Sequence, residues 1–200
     1  MNTKEIVLAL VFVMGAYQWW TDREVKQAPG ILVSVAPEQI NLADNSPPLR
    51  VKGATITPLA DYKIRARVLG KERYWLGQSA TFVPYDVAVG WKEMSDSKVL
   101  ERLHISQADR FYFYRWDSGT HLDPETMVKN SANMHLVAAN NDVAVKIKSL
   151  RRGQIVSLAG QLVRIVFKDG FEIKSSLSRD DTGPGACEVM WVTSINVTNY

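Results

Sequence analysis

The sequence predicts a mainly β chain with short helices, of β or α+β class: a small antiparallel sheet, open or barrel-like, behind an amino-terminal membrane helix. Three observations carry that expectation. Across residues 154–175, Ile155, Ser157 and Ala159 and then Leu162, Arg164 and Val166 alternate on either side of Gly160, and Phe171 and Ile173 resume the alternation after Asp169-Gly170. A period of two marks a strand with one buried face, and Asp-Gly between two such runs signals a hairpin, because glycine accepts the positive φ of a tight turn. Tyr62, Ile64, Ala66 and Val68 alternate in the same way with Lys63, Arg65 and Arg67, which would place a basic row on the outer face of a strand. Residues 6–17 carry no charge and run directly into Gln18, Trp19 and Trp20.

Tryptophan favours the headgroup level of a bilayer, where an apolar ring meets water on one side, so Trp19 and Trp20 read as the interfacial end of a membrane anchor. The expected organisation is a stub at 1–5, an anchor at 6–22, a linker at 23–30 and a single domain at 31–200. A cleaved signal peptide ending near Gly15 and Ala16, or a buried helix, would use similar letters; the tryptophan pair and the weak positive charge around Lys4 and Glu5 favour the uncleaved anchor. Lys4 and the amino group on one side, against Asp22, Arg23, Glu24 and Lys26 summing to zero on the other, place the amino end in the cytoplasm. The domain would then be extracytoplasmic, held at the inner membrane in single-pass topology.

With 200 residues, 46% of them hydrophobic and 22% charged, the chain can bury one sizeable core and does not have the composition of a disordered protein. A net charge of +3 spread among Asp and Glu, with local exceptions at Arg151-Arg152 and the 63/65/67 row, argues against nucleic acid as a partner. The single Cys187 excludes an internal disulfide.

In chain order, Ile31, Val33 and Val35 alternate as a first strand ended by Pro37, and residues 41–48 form a loop with two prolines. Residues 82–91 are aromatic and β-branched, and Ser95 caps a short helix containing Val99, Leu100 and Leu103. Phe111, Tyr112, Phe113, Tyr114 and Trp116 are aromatic on both parities, which suits a central strand better than an exposed stacking platform. Asp123-Pro124-Glu125 starts a helix. Met134, Leu136 and Ala138 predict a strand, Val143, Val145 and Ile147 another, and residues 189–197 the last.

Among candidate site residues, His104, His121 and His135 lack metal-ligand spacing, and neither metal nor cofactor is expected. Cys187, after the glycine-rich approach 182–186, could act as a nucleophile with His135 as its base and Asp181 orienting the imidazole. Ser176, Arg179, Asp180 and Asp181 lie in the densest polar cluster, where a guanidinium and short hydroxyls could grip a carboxylate or phosphate. Ser131, Ala132, Asn133 and Met134, followed by Asn141, Asp142, Val143 and Lys146, are similar over a short stretch to the membrane-anchored bacterial signal peptidases. That resemblance implies a β fold, but Asn133 stands where the family has its nucleophile and Leu136 where it has proline. The function expected is a membrane-anchored binding or scaffolding domain of an envelope complex with a protein partner. The alternative is an envelope hydrolase or transpeptidase using Cys187 and His135.

Overall fold

The computed structural model describes residues 2–21, 23–43, 46–51, 53–116, 123–178, 183 and 185–198. Helix α1 spans Thr3–Thr21 and carries Trp19 and Trp20 near its end. Its apolar side chains from Ile6 to Met14 are exposed. The uncharged run at 6–17 amounts to only ~18 Å of helix against a hydrocarbon layer of ~30 Å. Among the described residues no helix is long and apolar enough to cross a membrane. That finding overturns the spanning anchor at 6–22, the single-pass inner-membrane topology and membrane attachment through that helix, and it removes the basis on which the domain was placed outside the cytoplasm.

The segment after α1 is laced onto the domain. Val25 N donates to Arg152 O at 2.8 Å, Gln27 Nε2 to Gly153 O at 2.8 Å, and Gly30 N to Asp96 Oδ1 at 2.9 Å. Gly153 has φ +88°, and a Cβ there would overlap the Val25 carbonyl, so this crossing requires glycine. Ser95 Oγ accepts from Leu32 N at 3.1 Å and Val33 N at 3.0 Å. Residues 31–35 are therefore not the first strand; their backbone bonds to a side chain, and the first strand, β1, is Glu38–Asn41.

Strands β2 (Leu49–Val51), β3 (Ala54–Arg73), β4 (Tyr85–Gly90), β7 (Ser131–Ala138), β8 (Ile155–Phe167), β9 (Glu172–Lys174) and β10 (Glu188–Thr198) join β1 in an eight-stranded sheet. The unusually long β3 pairs antiparallel with β8 along Ala54–Arg67 and with β4 along Arg67–Arg73. Register shifts at Pro58/Ala60 and Val68/Gly70 mark where it bends. Because β4 pairs with β7, β7 with β10 and β10 with β8, the hydrogen-bonded path returns to β3. Tyr62, Ile64, Ala66 and Val68 of β3 point into the main core, where they meet Met134, Leu136, Leu158 and Met190. The Asp169-Gly170 hairpin forms, pairing Arg164 with Lys174.

The fold is mixed α/β and strand-rich, which corrects the expected small antiparallel sheet behind a membrane helix. The sheet is mixed, since β7 and β10 run parallel. Helices α2 (Ser97–Leu100, capped by Asp96), α3 (Pro124–Lys129, capped by Asp123) and α4 (Asn141–Ser149) interleave with the strands. Helix α4 replaces the strand expected from Val143, Val145 and Ile147. Asn140 caps it by accepting from Val143 N at 3.0 Å, and Val143 and Ile147, four apart, are buried while Val145 is 66% exposed. The basic row on β3 is also interrupted: Arg67 is buried, its Nη1 donating to Ser95 O at 3.1 Å and Ser97 Oγ at 2.8 Å.

The aromatic run is not a central strand. It forms β6 (Phe111–Trp116), which among the described residues pairs with β5 (Leu103–Ala108) in a separate two-stranded sheet. Tyr112 and Tyr114, 5.4 Å apart, pack toward Leu69, Met94 and Leu103, while Phe113 and Trp116 stay exposed. This hairpin stands beside the junction of β4, β7 and β10 and supplies one wall of the site.

Candidate functional site

Strand β4 is buried at all six positions, yet its second residue is Asp86, whose side chain is fully buried. A carboxylate withdrawn from water needs opposite charge close by. Two groups supply it at the same oxygen: Arg110 Nη1 at 2.7 Å and His135 Nδ1 at 2.8 Å from Asp86 Oδ1. His135 arrives because the antiparallel register of β4 and β7 sets it directly opposite Asp86. Arg110 arrives from the turn between β5 and β6, where it and Asp109 adopt φ of 70° and 50°. Its guanidinium also donates to Val83 O at 2.9 Å and lies 3.8 Å over the Tyr74 ring, whose hydroxyl accepts from Arg110 N at 2.9 Å. The hairpin is thus clamped to the sheet through its own turn.

Asn133, on the same face of β7 as His135, extends the network. Its Nδ2 donates to Arg110 O at 2.9 Å, and its Oδ1 accepts from Gln107 Nε2 at 2.8 Å. The parallel register of β10 with β7, Glu188 opposite Met134, brings Cys187 level with Asn133. Cys187 Sγ lies 3.7 Å from Arg110 O, within reach of an S–H donor, and 4.0 Å from Asn133 Nδ2. His135 lies within electrostatic reach of Cys187. Burial works against charge on His135, but the hydrogen bonds to Asp86 and Cys187 and their charges prevail, raising its pKa to about 9. At neutral pH this side chain is an imidazolium.

Cys187 forms part of the wall of a cavity of about 190 Å³. Trp91, Phe111, Tyr112 and Tyr114 are among the residues that line it, together with Asn133, Glu188, Ser178 and Gly183. Burial pushes the Tyr112 hydroxyl well above its ordinary pKa, so it stays a neutral donor, reaching Ser131 Oγ at 3.2 Å. No family model, curated protein or solved structure matches this chain.

The expected site residues divide. Cys187 and His135 lie within electrostatic reach of each other. Arg179, Asp180 and Asp181 lie outside the described residues, as does His121. Ser176 is held in a local turn, its Oγ accepting from Ser178 N at 3.0 Å, and its N donates to Cys187 O at 3.1 Å, which ties the loop to the cavity mouth.

The expected functions are corrected. An envelope complex held by a membrane anchor fails with the anchor. The hydrolase or transpeptidase fails as well: the chain has a single cysteine, and the described residues gather no catalytic cluster of His, Cys, Asp and Glu side chains around it. Among the described residues, no group of three or more His, Cys, Asp or Glu side chains is placed to hold a metal ion.

The sequence reading missed Asp86, Arg110 and the aromatic wall. Asp86 had a visible sign, a lone carboxylate inside the apolar run 83–89. Arg110 had a weaker one, next to Asp109 at a turn between two strands.

Proposed function

We propose that this is a ligand-binding domain whose cavity receives a small molecule bearing a planar ring. The carrying observation is that the cavity is lined by Trp91, Phe111, Tyr112 and Tyr114 together with the polar residues Asn133 and Glu188. Ligand sites typically combine aromatic walls with a few convergent polar groups, the first supplying burial and the second orientation. A volume of about 190 Å³ suits one ring or a compact bicycle, since a cavity of about 150 Å³ already holds benzene. Ser178 and Gly183 line the same cavity, which supports a binding role for these two residues.

The test is a titration of one- and two-ring compounds followed by NMR of the Tyr112 and Tyr114 resonances. Saturable shifts confined to these residues and their neighbours are expected, and Ala186→Phe, which fills the mouth, should abolish them without changing the far-UV circular dichroism. Ring compounds that leave the tyrosine resonances unmoved, or that bind the filled variant equally well, would remove this reading.

A further inference from the structure

We propose that the guanidinium groups of Arg67 and Arg152 form a binding site for a phosphate group, and that the Glu24 carboxylate is its internal occupant, displaced when phosphate binds. None of these three residues lines the aromatic cavity, so the site is independent of the ring-binding reading.

Arg67 lies on β3 with a side chain only 4% exposed, a cation withdrawn from water. Its Nη1 is engaged, donating to Ser95 O at 3.1 Å and Ser97 Oγ at 2.8 Å, whereas its Nε is buried with no hydrogen-bond partner among the described residues. Nη2 meets Glu24 Oε1 at 4.0 Å, beyond hydrogen-bond distance. Nε–H and one Nη2–H point the same way from the planar guanidinium, and together they make the fork that grips an oxyanion bidentately. In Arg67 that fork holds no acceptor at bonding distance. Burial pushes this guanidinium below its ordinary pKa, and Glu24 is the strongest influence in the other direction.

Arg152 approaches from the turn before β8, its Nε 3.4 Å from the same Glu24 oxygen. One carboxylate oxygen therefore stands between two cations without filling the fork of Arg67. A phosphate group carries up to about two charges and three acceptor oxygens, so it can occupy that fork and reach Arg152 at once. Glu24 can make way, because its side chain is 46% exposed. Its segment is fixed by other bonds: Val25 N donates to Arg152 O, and Ser97 Oγ donates to Gln27 O at 3.0 Å. Asp96, the next acid acting on Arg67, accepts from Gly30 N and Lys98 N.

The test is an NMR titration of the intact chain with sodium phosphate at pH 7.5, against sodium chloride of matched ionic strength. Amide shifts at residues 24–27, 66–68 and 151–153 should saturate with phosphate and not with chloride. Glu24→Gln, which removes the occupant's charge, should bind phosphate about five-fold tighter, and Arg152→Met about ten-fold weaker. Arg67→Lys keeps the charge without the fork and should also bind more weakly. Arg152→Met, at a side chain 40% exposed, keeps the test decisive if the buried position does not tolerate lysine. The proposal is overturned by the absence of saturable shifts in both the native chain and Glu24→Gln, by acetate binding as tightly as phosphate, or by an affinity that Arg152→Met leaves unchanged. Equal affinities of the native chain and Glu24→Gln would remove Glu24 as the occupant.

Discussion

Asp86 and His135 face each other across β4 and β7, Oδ1 to Nδ1 at 2.8 Å, and the same carboxylate oxygen takes Arg110 Nη1 at 2.7 Å. One buried acid therefore fixes the imidazole beside Cys187 and anchors the turn of the β5–β6 hairpin. Removing its charge leaves two cations facing each other without a counter-ion.

Asp86→Asn is accordingly expected to cost about 3–5 kcal/mol, the range for breaking a buried ion pair by removing one partner. Urea denaturation measures it. The hairpin should loosen first, with faster amide exchange at Tyr112 and Tyr114 than in β8. A loss below about 1 kcal/mol would mean that the carboxylate is not the hub described here.

The pH dependence has a defined sign. His135 is raised from an ordinary 6.5 to about 9, chiefly by its hydrogen bonds to Asp86 and Cys187 acting against burial. A group with a raised folded pKa contributes stability that is complete below the unfolded value and is lost as pH rises through the folded one. Stability should fall between pH 6.5 and 9 by on the order of 1–3 kcal/mol, and His135→Asn should flatten that slope. Equal slopes for the two proteins in urea titrations at pH 6, 7.5 and 9 would assign the dependence to other groups.

Ser95 offers a third test. Its hydroxyl accepts from Leu32 N and Val33 N and donates to Lys92 O at 2.7 Å. Ser95→Ala orphans two backbone donors and should cost about 1–3 kcal/mol. Because the loss is local, limited proteolysis should cut residues 23–36 sooner in the variant while β8 and β10 remain protected. Unchanged cleavage there would show that the lacing through Ser95 contributes little.

The parts of the fold legible in the sequence are those where one local signal decides. The β3 alternation, the Asp169-Gly170 hairpin and the Asp123-Pro124 helix start each carry their own geometry. Helix α4 was not legible because Val143, Val145 and Ile147 satisfy a period of two, and only the burial of Val143 and Ile147 with exposure of Val145 reveals the turn of four. Helix α1 was legible as a helix but not in its reach, since the decision lay in a few residues of apolar length. The site was half legible. Cys187 and His135 are chemical types that attract attention anywhere, whereas the roles of Asp86 and Arg110 follow from strand register and a turn, which no short stretch of sequence encodes.

The return of the strand path to β3 has a consequence for synthesis. β3 needs β8, about a hundred residues later in the chain, and β8 and β7 are joined through β10, which follows every other strand. Until β10 leaves the ribosome, β7 and β8 each present an unpaired edge, and Cys187, immediately before β10, is not yet set beside His135. Long-range pairing of this kind folds slowly and exposes open edges in the interval. The nascent chain thus carries open edges on β7 and β8 that stay prone to aggregation until β10 arrives to pair with both.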